Sequence, residues 1–299
     1  MDLPRKSPAS FKTWISALRL YSLPASIGPV VIGIAMAFGD GVHHFPTAIL
    51  CLLGAAAIQI GTNLANDYYD YKRGADTADP NKPLREIPAG LLAPEAVKTG
   101  FIIAFVFAAV ISGLLIQRGG RPIAVIAVVS IVSGLLYTAG PRPLGYLGLG
   151  DLFVLVFFGP VSVAGTYYVQ SFEMNLAVLL AGISPGMISV GILTANNLRD
   201  IDSDRAVGKL TLAVRFGRFF AMTEYLLVIT IAALMPVLIF SLIQDHSAIL
   251  ASVIILFISI PAILTVTTKS DGHELTRAIE HTGKILVIFS ILFSIGWIL

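Results

Sequence analysis

Nine long apolar segments dominate this 299-residue chain. A helix of about 20 apolar residues is long enough to cross the hydrocarbon core of a bilayer. Hydrophobic residues make up 56% of the chain and charged residues only 13%, whereas a soluble domain is about one quarter charged. The pattern therefore predicts an all-α integral membrane protein with nine transmembrane helices. The predicted spans are 20–39, 45–66, 95–117, 122–139, 151–170, 176–196, 219–242, 247–267 and 281–299.

The basic residues indicate how the predicted helices are oriented. Lysine and arginine accumulate in the cytoplasmic loops of membrane proteins. When the N-terminus and the even-numbered connections are placed on one side, that side holds every lysine and arginine except Arg118 and Arg121. We therefore predict that the N-terminus and the long connections after the second and sixth segments face the cytoplasm.

Two acidic motifs occupy those long connections. The first motif, residues 66–76, contains Asn66, Asp67, Asp70, Lys72, Arg73 and Asp76. The second motif, residues 196–209, contains Asn196, Asn197, Asp200, Asp202, Asp204, Arg205 and Lys209. Carboxylates at a membrane boundary are costly, and those that occur there usually have a function. Two such motifs on one face of the membrane predict a site for a divalent metal and phosphate.

Helical spacing predicts which motif residues face the same way. If the second apolar helix continues through the first motif, Asn66 and Asp70 lie on one face. Asp67 is rotated by about 100° from Asn66, so we expect it to orient a ligand rather than bind metal directly. Asp202 is expected to face solvent, away from the stripe of the second motif. That stripe consists of Asn196, Asp200 and Asp204.

Asp76 comes six residues after Asp70, which is out of phase with the helix. A glycine can end a helix in the left-handed conformation, so Gly74 can let Asp76 turn back toward the site. The alternative is that Asp76 is a solvated loop residue and that Asp67 completes the first metal site. The spacing leaves both interpretations open.

The side chains of both motifs suit a hard cation. They offer oxygen ligands without histidine or cysteine, which favours Mg²⁺, and Mg²⁺ in proteins usually binds a few carboxylates together with substrate phosphate. The predicted metal ligands are Asn66, Asp70, Asp76, Asp200 and Asp204, of which the four aspartates are also predicted to be catalytic. Nearby cations can neutralise phosphate oxygens. The predicted phosphate-binding residues are Lys72, Arg73, Arg142, Arg205 and Lys209, with Asp67 beside them.

The motifs resemble those of the UbiA superfamily of membrane prenyltransferases. The family carries Asn-Asp-x-x-Asp-x-x-x-Asp in its first loop and Asp-x-x-x-Asp in its second. Residues 66, 67 and 70 match the first pattern, and Asp200 and Asp204 match the second. Gly74 stands where the third acid of the first pattern is expected, and Asp76 follows two residues later.

Other stretches resemble one branch of that superfamily, the dihydroxynaphthoate polyprenyltransferases. The Gly-x-Asp-Thr sequence at 74–77 is similar to that branch, and so are residues 137–146, 165–170 and 196–217. Residues 19–24 are similar to its N-terminal motif, with Leu20 in place of a proline and Ser22 in place of a threonine. Residues 83–90 depart from the pattern of the branch.

The resemblance implies a UbiA-type bundle of nine helices around a central, lipid-open cavity. Residues 1–299 would form a single domain, and the recurrence of helix, acidic motif and basic loop suggests two pseudo-equivalent halves, roughly 1–145 and 146–299. The implied location is the plasma (inner) membrane, in contact with membrane lipid and without a nucleic-acid partner.

The implied reaction is the Mg²⁺-dependent transfer of a polyprenyl group from polyprenyl diphosphate to an aromatic acceptor, with Mn²⁺ able to substitute. For the dihydroxynaphthoate branch, the acceptor loses carbon dioxide and the product is demethylmenaquinone, a step of menaquinone biosynthesis. The residues expected to contact the substrates are Asn63, Tyr137, Asn196 and Asn197.

Three alternatives are compatible with the sequence. Another branch of the same superfamily would use hydroxybenzoate, homogentisate, haem or a glyceryl phosphate as acceptor. A transporter would also have paired half-sites and proline-broken helices, but it should place its ionisable residues near the middle of the membrane. A non-catalytic membrane scaffold would have no need for paired metal-type motifs.

Overall fold

The regular structure of the described chain follows the apolar segments. The computed structural model describes residues 10–74, 85–141 and 143–299. Over these ranges the regular elements are helices, as predicted, because a backbone in lipid has to pair its own N–H and C=O groups. The α-helices are α1 (Phe11–Ala17), α2 (Leu23–Gly39), α3 (Phe45–Arg73), α4 (Pro94–Leu136), α5 (Gly150–Phe157), α6 (Pro160–Ser171), α7 (Leu176–Ala181), α8 (Ile183–Arg199), α9 (Ile201–Ala206), α10 (Leu212–Ile243), α11 (Ile255–Ile258), α12 (Ile260–Thr268) and α13 (Gly272–Ile298). Short 3₁₀ helices cover Leu20–Ser22, Leu144–Leu147 and Ser247–Ile254.

Seven helical stretches of the described chain are long and apolar enough to cross a membrane, and α2 is a shorter apolar helix. The seven stretches are Phe45–Arg73, Pro94–Leu136, Gly150–Ser171, Leu176–Arg199, Leu212–Ile243, Ser247–Thr268 and Gly272–Ile298. Their number and apolar character identify the chain as an integral membrane protein.

Helix α4 is too long for one crossing. Its 43 residues would span about 65 Å at 1.5 Å per residue, about twice the thickness of the hydrocarbon core. Gly120 interrupts it with φ 65° and ψ −149°, so two helices meet there. The predicted loop over residues 118–121 is therefore reduced to a break at a single glycine, whose positive φ a larger side chain would strain.

Several predicted helix boundaries were wrong because the helices continue past their apolar cores. Helix α3 ends at Arg73 rather than at residue 66. Helix α13 begins at Gly272 rather than at residue 281, since the side chain of Asp271 caps its first turn by accepting from the N–H groups of residues 273 and 274. Thr211 caps a short helical segment that begins at Leu212, but Gly217 breaks α10 with φ 84° and ψ 177°, so the long helix begins just after Gly217, close to the predicted residue 219.

Packing against neighbouring helices positions α3 and α8, the two helices whose C-terminal ends carry the acidic motifs. Helix α3 packs against α4, while α8 packs against α10 and α13, and α13 also contacts α2. The largest buried cluster joins these last helices through Ile32, Ile188, Tyr225, Phe289 and Phe293. This core holds α8, and the second motif follows at the end of that helix.

Candidate active site

A cavity of about 570 Å³ is lined by residues of both acidic motifs. The first motif contributes Asn66 and Asp70, and the second contributes Asn196, Asp200 and Asp204. The structure therefore brings two distant parts of the chain to one site. The predicted substrate contacts Asn63 and Tyr137 and the predicted phosphate-binding Lys209 line the same cavity.

One face of α3 forms a wall of this cavity. Its lining residues recur every three or four positions, as expected for one side of a helix. They are Cys51, Gly54, Ala55, Ile58, Gln59, Thr62, Asn63, Asn66 and Asp70. The wall runs for about 28 Å along the helix axis, from Cys51 to Asp70. It is apolar near Cys51 and polar near Asp70. Gly74 then ends the helix with φ 71°, as the sequence predicts.

The second motif spans a break between two helices. Helix α8 ends at Arg199, Asp200 takes a non-helical conformation, and α9 follows. The backbone N–H of Asp204 donates to the Asp200 carbonyl at 2.8 Å, so the turn still places both carboxylates on the cavity side. Asp202 faces solvent, as predicted, because its side chain is 92% exposed.

Cations inside the cavity neutralise the carboxylates of the second motif. Arg199 donates from Nε to Asp200 Oδ1 at 2.8 Å and from Nη2 to Oδ2 at 3.0 Å. Lys209 Nζ lies 3.3 Å from Asp204 Oδ2. Burial acts to lower the pKa of Lys209, but the charges of Asp204 and Asp70 outweigh it and the pKa is raised. Lys209 therefore keeps its positive charge at the site.

The carboxylate of Asp67 forms ion pairs with two further arginines. It is buried and pairs with Arg19 and, at 3.0 Å, with Arg85. Both arginines line the cavity. The sequence interpretation did not assign Arg19, Arg85 and Arg199 to the site, because it used them only as evidence for orientation and in the comparison with the family pattern. The signal for Arg19 and Arg85 was Asp67, since a buried carboxylate has to be paired, and the signal for Arg199 was the adjacent Asp200.

Asp70 and Tyr137 lie next to aromatic and cationic groups. The hydroxyl of Tyr146 donates to Asp70 Oδ1 at 3.1 Å, and burial together with Asp70 raises the pKa of Tyr146. Tyr137 lines the cavity. Burial raises its pKa to about 12, with Lys209 opposing the shift. Both phenols therefore stay protonated at neutral pH and can donate hydrogen bonds.

The sequence matches the UbiA prenyltransferase family over residues 26–291. This chain belongs to the UbiA prenyltransferase family. It is 32% identical over 296 residues to the 1,4-dihydroxy-2-naphthoate octaprenyltransferase of Escherichia coli (strain K12), covering 95% of this chain and 94% of that protein. It is 34% identical over 284 residues to the protein of the same name from Mycobacterium tuberculosis, covering 95% and 96%. The resemblance found in the motifs is thereby confirmed, and the chain is a prenyltransferase.

The fold agrees with this assignment. A UbiA homolog from Archaeoglobus fulgidus bound to GPP and Mg²⁺ superimposes with a TM-score of 0.66 at 14% identity, over 94% of this chain and 99% of that one. At that level of identity the likeness concerns the helical architecture alone. The prediction of an all-α UbiA-type fold is confirmed.

Not every predicted site residue of this UbiA protein lines the cavity. Lys72 is exposed and lies 4.9 Å above the ring of Tyr68. Arg73 donates to the carbonyls of residues 138 and 140, and Arg205 is exposed beside Asp202. Asn197 is buried but does not line the cavity. Asp76 and Arg142 lie outside the described residues. The roles assigned to these six residues stay predictions, as do the roles of the predicted residues that line the cavity.

The donor set of the cavity fits magnesium held jointly with phosphate. Asn66, Asp70, Asn196, Asp200 and Asp204 line the same cavity and offer it oxygen donors. Within the described ranges, no three acidic, histidine or cysteine side chains form a compact metal cluster. Mg²⁺ typically takes one or two protein carboxylates and completes its shell with water and substrate phosphate, so the dispersed carboxylates suit that mode of binding.

Proposed function

We propose that this enzyme transfers a polyprenyl group from polyprenyl diphosphate to 1,4-dihydroxy-2-naphthoate, with loss of carbon dioxide, to give demethylmenaquinone for menaquinone biosynthesis. The observation that carries the proposal is a single cavity with carboxylates and cations at one end and apolar side chains along its length. The names of the E. coli and M. tuberculosis relatives support this choice of aromatic acceptor.

The cations of the cavity are suited to hold the diphosphate. Arg19, Arg85, Arg199 and Lys209 line the space between the motifs, and Asp67 keeps two of these arginines in place. When the allylic C–O bond breaks, its electron pair goes to the diphosphate oxygen. Positioned N–H donors stabilise that developing charge more than the ground state, which lowers the barrier.

Magnesium would be held by Asn66, Asp70, Asp200 and Asp204, and bound metal would supply Lewis-acid stabilisation of the departing diphosphate. We assign the third acid of the first motif to Asp76, because Asp67 is already engaged with Arg19 and Arg85. Manganese has similar oxygen-ligand chemistry and is expected to substitute.

The apolar part of the cavity is suited to the prenyl tail. Ile58, Ile123, Ile126, Phe153 and Phe157 line it, and an apolar wall excludes the water that would quench the allylic cation. The electron-rich acceptor ring attacks the cation at the carbon that carries the carboxylate. The bond from the ring to the carboxylate carbon then breaks, its electron pair returns to the ring, and carbon dioxide leaves. We infer a central, lipid-open cavity within nine helices, counting α4 as two crossings and α2 as one.

Product analysis tests the proposal. Membranes containing the enzyme are incubated with Mg²⁺, labelled polyprenyl diphosphate and, separately, dihydroxynaphthoate, hydroxybenzoate or homogentisate. We expect a labelled, decarboxylated naphthoquinol lipid from the first acceptor only. Prenylation of hydroxybenzoate or homogentisate instead would replace the assigned acceptor, and absence of any prenyl transfer would overturn the reaction.

Removal of divalent metal is expected to abolish turnover. The predicted ligands are oxygens of the kind that bind Mg²⁺, so excess EDTA should stop product formation and added Mg²⁺ or Mn²⁺ should restore it. The measurement is the initial rate at fixed substrate with metal titrated back. Full activity in excess chelator would contradict the metal assignment.

The proposed orientation in the plasma (inner) membrane places the motifs in the cytoplasm and residues 40–44 outside. In a Cys51→Ala background, which removes the chain's single cysteine, His44→Cys is expected to react with a membrane-impermeant maleimide on intact cells. Asp202→Cys is expected to react only after the cells are opened, although its side chain position is exposed. The reverse pattern would contradict the orientation.

A further inference from the structure

The connection between α4 and α5 carries a tyrosine that contacts both acidic motifs. Tyr146 lies in the 3₁₀ helix Leu144–Leu147 and is half-buried. It does not line the cavity, yet its side chain reaches Asp70 of the first motif and Lys209 of the second. One residue outside the cavity thus joins two parts of the site that lie far apart in the sequence.

Tyr146 is attached to the first motif by its hydroxyl and its ring. The hydroxyl donates to Asp70 Oδ1 at 3.1 Å. The guanidinium of Arg73 lies 5.0 Å from the ring centroid, within the range of a cation–π interaction. Arg73 also donates to the carbonyls of Thr138 and Gly140. The start and the end of this connection are therefore both held against the last turns of α3.

The backbone of the same connection is attached to the second motif. The carbonyl of Tyr146 accepts from the N–H of Leu210 at 3.0 Å, and Lys209 Nζ lies 6.0 Å from the Tyr146 ring centroid. Gly148 follows with φ 72°, and a Cβ built there would lie only 2.7 Å from the Leu210 carbonyl oxygen. Glycine is therefore required for this close approach, which fixes Tyr146 beside residues 209 and 210.

A hydrogen bond from Tyr146 orients the carboxylate of Asp70. Each carboxylate oxygen has two lone pairs, so Asp70 can accept from the phenol and still bind a metal ion. Partners of this kind fix the orientation of a metal ligand and tune its affinity for the metal. Because the backbone of Tyr146 is bonded to Leu210, the orientation of Asp70 is set relative to the second motif.

We propose that Tyr146 is a positioning residue that aligns Asp70 with the second motif, so that a divalent metal and its diphosphate are bound from both sides. This inference rests on the proposed function and adds the residue that aligns the two halves of the site. The hydroxyl orients the carboxylate, while the ring and the backbone hold the neighbouring cations and the connection. These contributions can be removed one at a time.

The test compares wild type with Tyr146→Phe, which removes the hydroxyl and keeps the ring and the backbone hydrogen bond. The first readout is the Kd of Mn²⁺ for the purified enzyme with inorganic pyrophosphate, measured from the electron paramagnetic resonance signal of free Mn²⁺. The second is the Mg²⁺ concentration that gives half-maximal prenyl transfer. We expect both values to rise about 10–100-fold, the typical effect of losing the partner of a metal ligand. The KM for the aromatic acceptor should not change.

Two further variants separate positioning from damage to the fold. Tyr225→Phe is the matched control, because it removes another tyrosine hydroxyl, which pairs with Thr282 Oγ1 at 2.6 Å outside the cavity lining. It should lower the Tm and leave both metal readouts unchanged. Tyr146→Leu also removes the ring beside Arg73 and Lys209, and should additionally raise the KM for polyprenyl diphosphate.

The outcomes distinguish this inference from the proposed function. An unchanged Mn²⁺ Kd and Mg²⁺ dependence in Tyr146→Phe would overturn the role of Tyr146 alone. Equal weakening of metal binding in Tyr146→Phe and Tyr225→Phe would overturn it as well, since that result reports general damage to the fold. Absence of prenyl transfer by the wild type would overturn the proposed function, while the Mn²⁺ Kd would still decide the role of Tyr146.

Discussion

Replacing Asp200 with alanine is expected to lower kcat about a thousandfold, equivalent to about 4 kcal/mol of transition-state stabilisation. Asp200 is buried, lines the cavity and anchors Arg199. Its loss would therefore remove a proposed metal ligand and free a cation positioned for the diphosphate. Asp70→Ala should have an effect of similar size from the first motif. The measurement is polyprenyl transfer at equal enzyme concentration in membranes.

Asp202→Ala is the matched control, because it removes an aspartate from the same motif. Its side chain is 92% exposed and lies 3.7 Å from Arg205, and an exposed ion pair of this kind contributes about 0–1 kcal/mol. We expect kcat within about twofold of wild type, since neither residue of the pair lines the cavity. A larger loss at Asp202 than at Asp200 would contradict the orientation assigned to the second motif.

Asp67→Asn is expected to impair both folding stability and diphosphate binding. Breaking a buried ion pair by removing one partner lowers the free energy of unfolding by about 3–5 kcal/mol. Asp67 forms ion pairs with two arginines, Arg19 and Arg85. The Tm in detergent should fall, and the KM for polyprenyl diphosphate should rise as Arg19 and Arg85 lose their anchor. Substrate titrations and thermal unfolding measure the two effects separately.

The comparison variant is Asp76→Asn. If Asp76 completes the metal site, this change should abolish turnover and leave the Tm near that of wild type, because an amide supplies no negative charge to the metal. The assignment would be reversed if Asp76→Asn were nearly as active as wild type while Asp67→Asn were inactive but stably folded. Asp67 would then be the third carboxylate of the first motif.

Helical spacing predicted the part of the site that depends on local structure. Asn66 and Asp70 share a face because α3 continues without interruption, and Gly74 ends that helix because glycine tolerates positive φ. In the second motif, Asp200 and Asp204 both line the cavity although the helix breaks at Asp200. The spacing of four residues survives because Asp200 begins the next helix, and the N–H of Asp204 donates to its carbonyl at 2.8 Å.

Two cations of the site, Arg19 and Arg85, could not be predicted in this way, whereas Lys209 was. Arg19 and Arg85 meet at Asp67 only after the N-terminal segment and the loop before α4 have packed against α3. Such contacts are set by tertiary structure, and no local period encodes them. Helix ends were misplaced for a related reason. A capping residue such as Asp271 extends a helix beyond the apolar stretch that lipid requires.

Arginines that look like topology markers also join loops to helix ends. Arg73 donates to the carbonyls of Thr138 and Gly140, and Arg215 donates from Nε to the Leu210 carbonyl and from Nη2 to the Leu147 carbonyl. A lysine at any of these positions would keep the charge, and hence the insertion signal, but its single ammonium cannot reproduce the planar fork. The same arginine side chains thus supply the positive charge that orients the protein and the paired hydrogen bonds that fix the loops. Lysine could supply the charge, but only arginine can make the paired hydrogen bonds.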